Sequence, residues 1–406
     1  MHIVIVGAGE CGARAAFALR ERGFDGKVTL IGAEPHPPYE RPPLSKDGLA
    51  GAEPPKYVAD VESYAEAGIS LLTDAAVASI DRERKAVVLA GGAIRYDRLL
   101  LATGARPRAF PGVSDDAKHI RMLRTHADAV AIRSALLPGR RLIIIGGGFI
   151  GLELAATARK LGTEVVLIEG LARVLSRGVP EEIATVIAGR HRREGVEILC
   201  GVRISKIDED EGGAAVLLAD GGRIAADLVV VGIGAVPNTE LAAAAGLALD
   251  NGIAVDDTLR TSDPDIFAAG DCCSVPLTYY GGRRVRLEAW RNAQDQGTLA
   301  AANLLGAAVP IAAVPWFWSD QYELTLQIAG IADGAETTVR RELDAGAFLL
   351  FHLDGDGRLI AASGIGPGNA VARDIRLAEM LIAAGARPDP AALASPETKL
   401  KKLLAA

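Results

Sequence analysis

Apolar and polar residues come in blocks along this chain, and one arrangement of blocks occurs twice. His2–Val6 is a short apolar run. Gly7-Ala8-Gly9-Glu10-Cys11-Gly12 follows, apolar residues then recur at helical spacing as far as Arg22, and a β-branched run covers residues 28–31. This order predicts strand, tight turn, helix and parallel strand, a βαβ unit. The second copy opens with Arg141–Ile145, turns through Gly146-Gly147-Gly148-Phe149-Ile150-Gly151, continues as a helix-like stretch to Leu161 and closes with a strand over residues 165–168. Gly12 and Gly151 are 139 residues apart, as are Gly7 and Gly146, and Gly23 and Gly162. One G-x-G-x-x-G turn is weak evidence because many folds join strand to helix through glycine. Two in the same strand–turn–helix context predict two dinucleotide sites.

The spacing has a physical reason. The first glycine (Gly7, Gly146) permits the tight turn, and the second (Gly9, Gly148) lets backbone approach a pyrophosphate. The third (Gly12, Gly151) lets helix pack on strand, so that N–H groups and the positive helix end face the phosphates. Glu169 closes its strand 18 residues after Gly151. A carboxylate there accepts hydrogen bonds from an adenosine ribose and repels a 2′-phosphate, which favours NADH over NADPH; Arg173, close by, keeps a phosphate reading open. In the first copy the equivalent position is Gly32, and Glu34 is the ribose candidate.

Composition narrows the picture. Half of the 406 residues are hydrophobic and 23% are charged, which suits a globular chain of two or three domains at about 150 residues each. Glycine is in excess, 46 residues or about 11% against a usual ~7%, and must be used locally. The net charge of −7 gives no global attraction to nucleic acid or an anionic membrane. Residues 297–319 carry no charge, but Asn303, Gly306, Pro310 and Pro315 break the run, which predicts a buried helix and then a linker. With the first glycine at Gly7 there is no room for a signal peptide, so a cytoplasmic location is expected. Cys11, Cys200, Cys272 and Cys273 form no C-x-x-C and no metal-ligand spacing with histidine, so neither a disulfide framework nor a metal site is expected.

Further motifs follow in order: Pro38-Tyr39-Glu40-Arg41-Pro42-Pro43-Leu44-Ser45-Lys46, Ala102-Thr103-Gly104-Ala105-Arg106-Pro107, Gly232-Ile233-Gly234-Ala235-Val236-Pro237-Asn238, Ile266-Phe267-Ala268-Ala269-Gly270-Asp271, Asn292-Ala293-Gln294 and Trp316-Phe317-Trp318-Ser319-Asp320-Gln321. Over its whole length the sequence resembles the FAD-dependent, NADH-dependent ferredoxin reductases of bacterial oxygenase systems. The resemblance implies a glutathione-reductase-like α/β architecture: two Rossmann-like domains, for FAD and NAD, and a smaller α+β C-terminal domain. The FAD domain is expected to be split, residues 1–108 and 238–314, around an NAD domain at 109–237. A ferredoxin-docking domain would take 315–406, with strands near residues 325–328, 347–353 and 359–365 and a helix over 370–384.

The resemblance also implies site residues. FAD would meet Gly7, Gly9, Cys11, Gly12, Glu34, Arg41, Lys46, Val77, Ala102, Thr103, Gly104, Arg124, Gly270, Asp271, Glu288, Ala289 and Trp290. A helix starting near Trp290 would aim N–H donors at the flavin. NAD would meet Gly146, Gly148, Phe149, Ile150, Gly151, Glu153, Glu169, Ile233 and Gly234. Lys46, Glu153 and Trp318 would form the catalytic group, with Lys46 and Glu153 paired at the flavin–nicotinamide junction and Glu153 in the first turn of its helix. The alternatives are a surface lysine, a dipole-favouring glutamate and a core tryptophan. Cys11 also reads as a small buried residue, as do Cys272 and Cys273.

Relatives on this scaffold that reduce disulfides place a cysteine near the proline-rich segment, but none lies between Gly32 and Gly51 here. The resemblance therefore points to hydride from NADH to FAD, then single electrons to a small acidic two-iron, two-sulfur ferredoxin that feeds a Rieske dioxygenase or haem monooxygenase. A rubredoxin reductase, an NADH oxidase or a nitrite reductase component is the alternative, and an apoptosis-inducing-factor-like protein a minor one. Because the chain is itself acidic, ferredoxin docking needs a local basic surface. Its candidates are Arg283, Arg284, Arg286, Arg340, Arg341, Lys399, Lys401 and Lys402.

Overall fold

The apolar runs on either side of the first glycine turn become neighbours in a parallel sheet. In the computed structural model, which describes residues 1–50, 54–114 and 116–404, this sheet has five strands in the order Ile266–Ala268, Arg98–Leu101, His2–Val6, Lys27–Ile31 and Ile69–Leu72. All four pairings are parallel. Strands buried on both faces need continuous apolar runs rather than alternation, and Ile3, Val4, Ile5, Leu99, Leu100 and Leu101 are fully buried. The helix Glu10–Glu21 covers the sheet, and Trp290–Leu304 packs against that helix. Gly297 permits the close crossing, since a Cβ there would lie 2.5 Å from the Cys11 carbonyl oxygen.

The second fingerprint repeats the plan. Its parallel sheet runs Val196–Cys200, Glu164–Glu169, Arg141–Ile145, Leu228–Val231, Ile120–Arg121, and the helix Phe149–Lys160 follows the glycine turn. A third, antiparallel sheet has the order Trp316–Gln321, Leu324–Gly330, Leu359–Pro367, Phe348–Leu353, Thr337–Glu342. It carries the helix Ala372–Ala383. Four of its strands, the one opening at Trp316 among them, and this helix lie where the sequence pattern put them; Thr337–Glu342 escaped that reading. Residues 297–319 divide as expected into the end of a helix, which stops at Leu304, and a connection without regular structure before Trp316.

The described chain divides into two compact units. Met1–Glu40, Pro55–Arg106 and Val236–Ala313 make the first; Arg41–Pro54, Pro107–Ala235 and Val314–Ala406 make the second. No helix among the described residues is long and apolar enough to cross a membrane.

Candidate functional site

In the first unit, Gly7 is locked in place by backbone. Its φ is +115°, and a Cβ would sit 2.1 Å from the Ala102 carbonyl oxygen. Gly9 is different: it is the N-cap of Glu10–Glu21, makes no side-chain cap, and has nothing within 4 Å of its hypothetical Cβ. The first-turn N–H groups of a helix have no intrahelical acceptor, so an open cradle lined by donors stands at this end. A pyrophosphate fits it. Around it, Gln296 accepts from the Gly270 N–H at 2.7 Å through Oε1 and donates to Asn292 Oδ1 at 3.1 Å, while Gln294 donates to Glu10 at 2.9 Å. The Asn292–Gln294 motif thus ties the loop carrying Asp271 to the first fingerprint helix. Thr103 and Asn238 exchange hydrogen bonds with each other's carbonyls at 2.7 and 2.8 Å, joining two of the other motifs. Glu34 accepts from the Tyr39 hydroxyl at 2.5 Å. Ala289 is the N-cap of the helix starting at Trp290, Arg286 pairs with Glu288, and Val77 starts the strand Val77–Asp81. Cys11, Cys272 and Cys273 are buried, and burial pushes each thiol up, away from the reactive thiolate.

In the second unit the same geometry recurs. Gly146 has φ +111° and a Cβ there would meet the Gly232 carbonyl oxygen at 2.2 Å, whereas Gly148 caps its helix with nothing within 4 Å. Gly151 presses on the Gly146 carbonyl. Glu169 accepts from the N–H groups of Gly147 and Leu171, both at 2.8 Å, one on each oxygen, which orients its carboxylate toward the turn. Arg173 donates to the carbonyls of Val174, Leu175 and Val179, so its guanidinium is held by its own loop. Ile150 is half exposed beside the open cap, Phe149 packs on Phe317 with ring centroids 4.3 Å apart, and Gly234 accepts from Arg108 N–H at 2.8 Å. Ile233 packs against the buried cluster of this unit. Arg41 donates to the Arg124 carbonyl at 2.6 Å, just before a helix capped by Thr125 and Asp128.

Two distant segments of the second unit converge on Glu153. Its carboxylate is buried, with Lys46 Nζ 3.3 Å from Oε1. Ser319 donates to Oε1 and Ser45 to Oε2, both at 2.6 Å. Lys46 Nζ also lies 3.7 Å from Asp320 and 5.4 Å from the centre of the Trp318 ring, whose Nε1 donates to Asp320 at 3.0 Å. Trp316 and Trp318, on one face of their strand, stack at 5.5 Å. Burial pushes the Glu153 carboxyl up from its ordinary range, while Lys46 and the two hydroxyls pull it down. All three neighbours donate, which is the environment of an ionised acceptor.

Two expectations need correction. The helix starts at Phe149, so Glu153 is its fifth residue and begins the second turn. The dipole falls off within the first turn; the specific donors therefore hold this charge. Arg341 is buried, not a docking residue, and its guanidinium donates to the carbonyls of Leu393, Pro396 and Thr398. Arg286 is also mostly covered. In the sequence Ser45, Ser319, Asp320 and Gln321 stand out only as parts of motifs, and His191 belongs to none. Ser45 and Ser319 meet Glu153, and Gln321 meets His191, across 108, 166 and 130 residues, beyond any spacing rule.

Residues 1–297 match the family model for the pyridine nucleotide-disulphide oxidoreductases, and residues 316–404 match the reductase C-terminal model. The reductase component of the anthranilate 1,2-dioxygenase system of Burkholderia cepacia, a ferredoxin–NAD(+) reductase, is 46% identical over 405 residues, 99% of this chain and 98% of that one. Putidaredoxin reductase of Pseudomonas putida is 43% identical over 365 residues, 87% and 86% of the two chains. Among solved structures, the covalent putidaredoxin reductase–putidaredoxin complex superposes with a TM-score of 0.93 at 39% identity, covering 100% of this chain and 98% of the other.

Proposed function

Given that this chain belongs to the pyridine nucleotide-disulphide oxidoreductase family, we propose that it is an NADH:ferredoxin oxidoreductase, the reductase component of a bacterial oxygenase system. The observation that carries the reading is the Lys46–Glu153 cluster. Where relatives that reduce disulfides place a thiol, the segment ending at Lys46 supplies an ammonium bonded to a buried carboxylate. FAD, when bound, takes two electrons as a hydride and gives them up singly, which suits a one-electron iron–sulfur acceptor.

The residues of this chain then have the following parts. The Gly9 and Gly148 caps receive the pyrophosphates of FAD and of NADH. Glu169, fixed by two backbone donors, meets the adenosine ribose, and because Arg173 is engaged by its own loop, NADH is the donor. Lys46, anchored by Glu153 and backed by Trp318, would orient the nicotinamide ring when NADH is bound. Residues 1–108 and 238–314 form the FAD domain, 109–237 the NAD domain, and 315–406 the docking region for the ferredoxin. The cytoplasm is the proposed place of action, which cell fractionation tests.

Anaerobic mixing of the flavin-loaded protein with NADH should bleach the oxidised flavin band, and purified two-iron, two-sulfur ferredoxins should then be reduced one electron at a time. A flavin left oxidised by NADH refutes the first half. Faster turnover with rubredoxin or dioxygen than with any ferredoxin refutes the second and favours the alternative acceptors. If electrostatics steer docking, the ferredoxin rate falls as salt rises.

A further inference from the structure

The donors on Glu153 do not end at Ser319. Ser319 Oγ donates to Glu153 and accepts from Gln321 Nε2 at 3.1 Å. Gln321 Oε1 faces His191 Nε2 at 2.8 Å, and the other ring nitrogen of His191 faces the Tyr322 hydroxyl at 3.5 Å. His191 is fully buried, and Ser319 and Gln321 nearly so, at 1% and 3% exposure. Tyr322 sits in the hairpin turn at φ +58°, a conformation an L-residue adopts at a cost, with its ring edge-on to His191 and under Arg190.

The chemistry of these groups gives the chain a direction. An amide oxygen only accepts, so His191 must carry its proton on Nε2, leaving Nδ1 to accept from Tyr322. Every donor in the series Tyr322, His191, Gln321, Ser319 therefore points toward Glu153. Reversal requires the amide to turn over, His191 to carry its proton on Nδ1, and Glu153 to be protonated so that it can donate to Ser319. The two ends are linked through Oε1: an Nδ1–H tautomer of His191 requires a proton on that oxygen, whereas a proton on Oε2, which faces Ser45, leaves the direction as it is.

We propose that this buried chain is a positioning device that keeps Glu153 ionised and aimed at Lys46, with His191 and Gln321 as positioning residues for the reduction of the flavin by NADH. The inference rests on the proposed role of the Lys46–Glu153 pair. At the Glu153 end the charged groups facing it are Lys46 and, across Lys46, Asp320. At the far end, Arg190 and Glu194 face His191, and Arg159 and Glu323 face Tyr322. Lying on both sides of neutral in both places, they leave the hydrogen bonds to decide the direction.

Two measurements on the FAD-loaded protein test this. In protein labelled with ¹⁵N-histidine, the His191 ring should be the neutral Nε2–H tautomer near neutral pH; an Nδ1–H tautomer or an imidazolium overturns the proposal. By rapid mixing, the pH midpoint of NADH-dependent flavin bleaching should move up by about half a unit to one unit in His191→Phe and Gln321→Leu, a roughly three- to tenfold change in the proton equilibrium. His191→Gln, which keeps an N–H donor, should recover most of the shift. His352→Gln removes another buried histidine, bonded to Thr338 and Ser363, outside this chain; it should leave the midpoint in place. Midpoints unchanged in both chain variants, or moved equally by His352→Gln, overturn the proposal while the wild-type bleaching still supports the enzyme reading. Absence of bleaching in the wild type instead removes the reading on which it rests. Should the variants fail to hold FAD, the wild-type tautomer remains decisive.

Discussion

Glycines of one fingerprint serve different purposes, and substituting them one at a time should separate folding from binding. In Gly146→Ala the new Cβ would sit 2.2 Å from the Gly232 carbonyl oxygen, on a residue with φ +111°. Backbone must move by roughly 0.8 Å before that contact reaches even 3.0 Å. Overpacking of this kind costs about 1–3 kcal/mol, and positive φ adds roughly 1–2 kcal/mol for a side chain. The total, about 2–5 kcal/mol, is a large share of the ~5–15 kcal/mol that holds a domain together. Gly148 has φ −81° and ψ −176°, allowed for any residue, and its Cβ would meet nothing within 4 Å. The fold loses only the difference between glycine and alanine at an N-cap, below about 1 kcal/mol.

Thermal unfolding by circular dichroism should therefore place Gly146→Ala roughly 5–15 °C below the parent and Gly148→Ala within a few degrees. Only matched midpoints are compared, because a chain of two units need not unfold in one step. Titration with NAD⁺ should give the opposite order among the folded proteins, Gly148→Ala binding at least about tenfold more weakly, since its methyl group stands where the phosphates must approach the N–H groups. If Gly148→Ala bound NAD⁺ like the parent, the open cap would not be the phosphate cradle. If it melted as low as Gly146→Ala, the space beside it would be packing surface.

Three further outcomes are expected. Glu153→Leu strands Lys46 and two buried hydroxyls and should cost about 3 kcal/mol, while Glu153→Gln, which still accepts from one hydroxyl, should cost about half as much; urea unfolding measures both. His191 and His352 are each pushed down by burial to about 4 from an ordinary 6.5, so the unfolded chain binds more protons between those values. Stability should be greatest above pH 6.5 and fall as pH drops toward 4, by up to about 3 kcal/mol per histidine, and His352→Gln should flatten the slope in pH-dependent urea unfolding. Arg341→Ala should cost about 2–3 kcal/mol and speed hydrogen exchange over residues 393–398, whose carbonyls it holds, whereas Arg340→Ala, on an exposed side chain paired with Glu182 and Glu342, should cost under about 1 kcal/mol.

Both βαβ units were legible because period and punctuation agree: apolar runs set the strands, helical spacing sets the helices, and glycine marks where backbone meets backbone. The third sheet was legible wherever its strands carry apolar or aromatic runs, whether buried throughout, as in Phe348–Leu353, or only in part, as in Leu324–Gly330. Thr337–Glu342 was missed because an edge strand with one wet face looks polar, and its burial alternates. A signal was present all the same. Val339 and Arg341 are two residues apart, so they share a face, and a valine facing inward takes the arginine with it.

Counting Arg341 among surface charges ignored that parity, and the same neglect of tertiary partners hid His191. A histidine in a helix rich in arginine reads as one more solvated charge. Yet Ile183, Ala184, Ile187 and Ala188 mark the buried face of Glu181–Arg193, and His191 falls on it, four residues after Ile187. Buried polar groups must find partners, so the helical period shows that His191 has one without showing which. The partner, Gln321, comes from a strand 130 residues away. The burial of a polar group can thus be read from local periodicity, whereas the chemistry it performs depends on contacts between distant segments, which only the folded chain supplies.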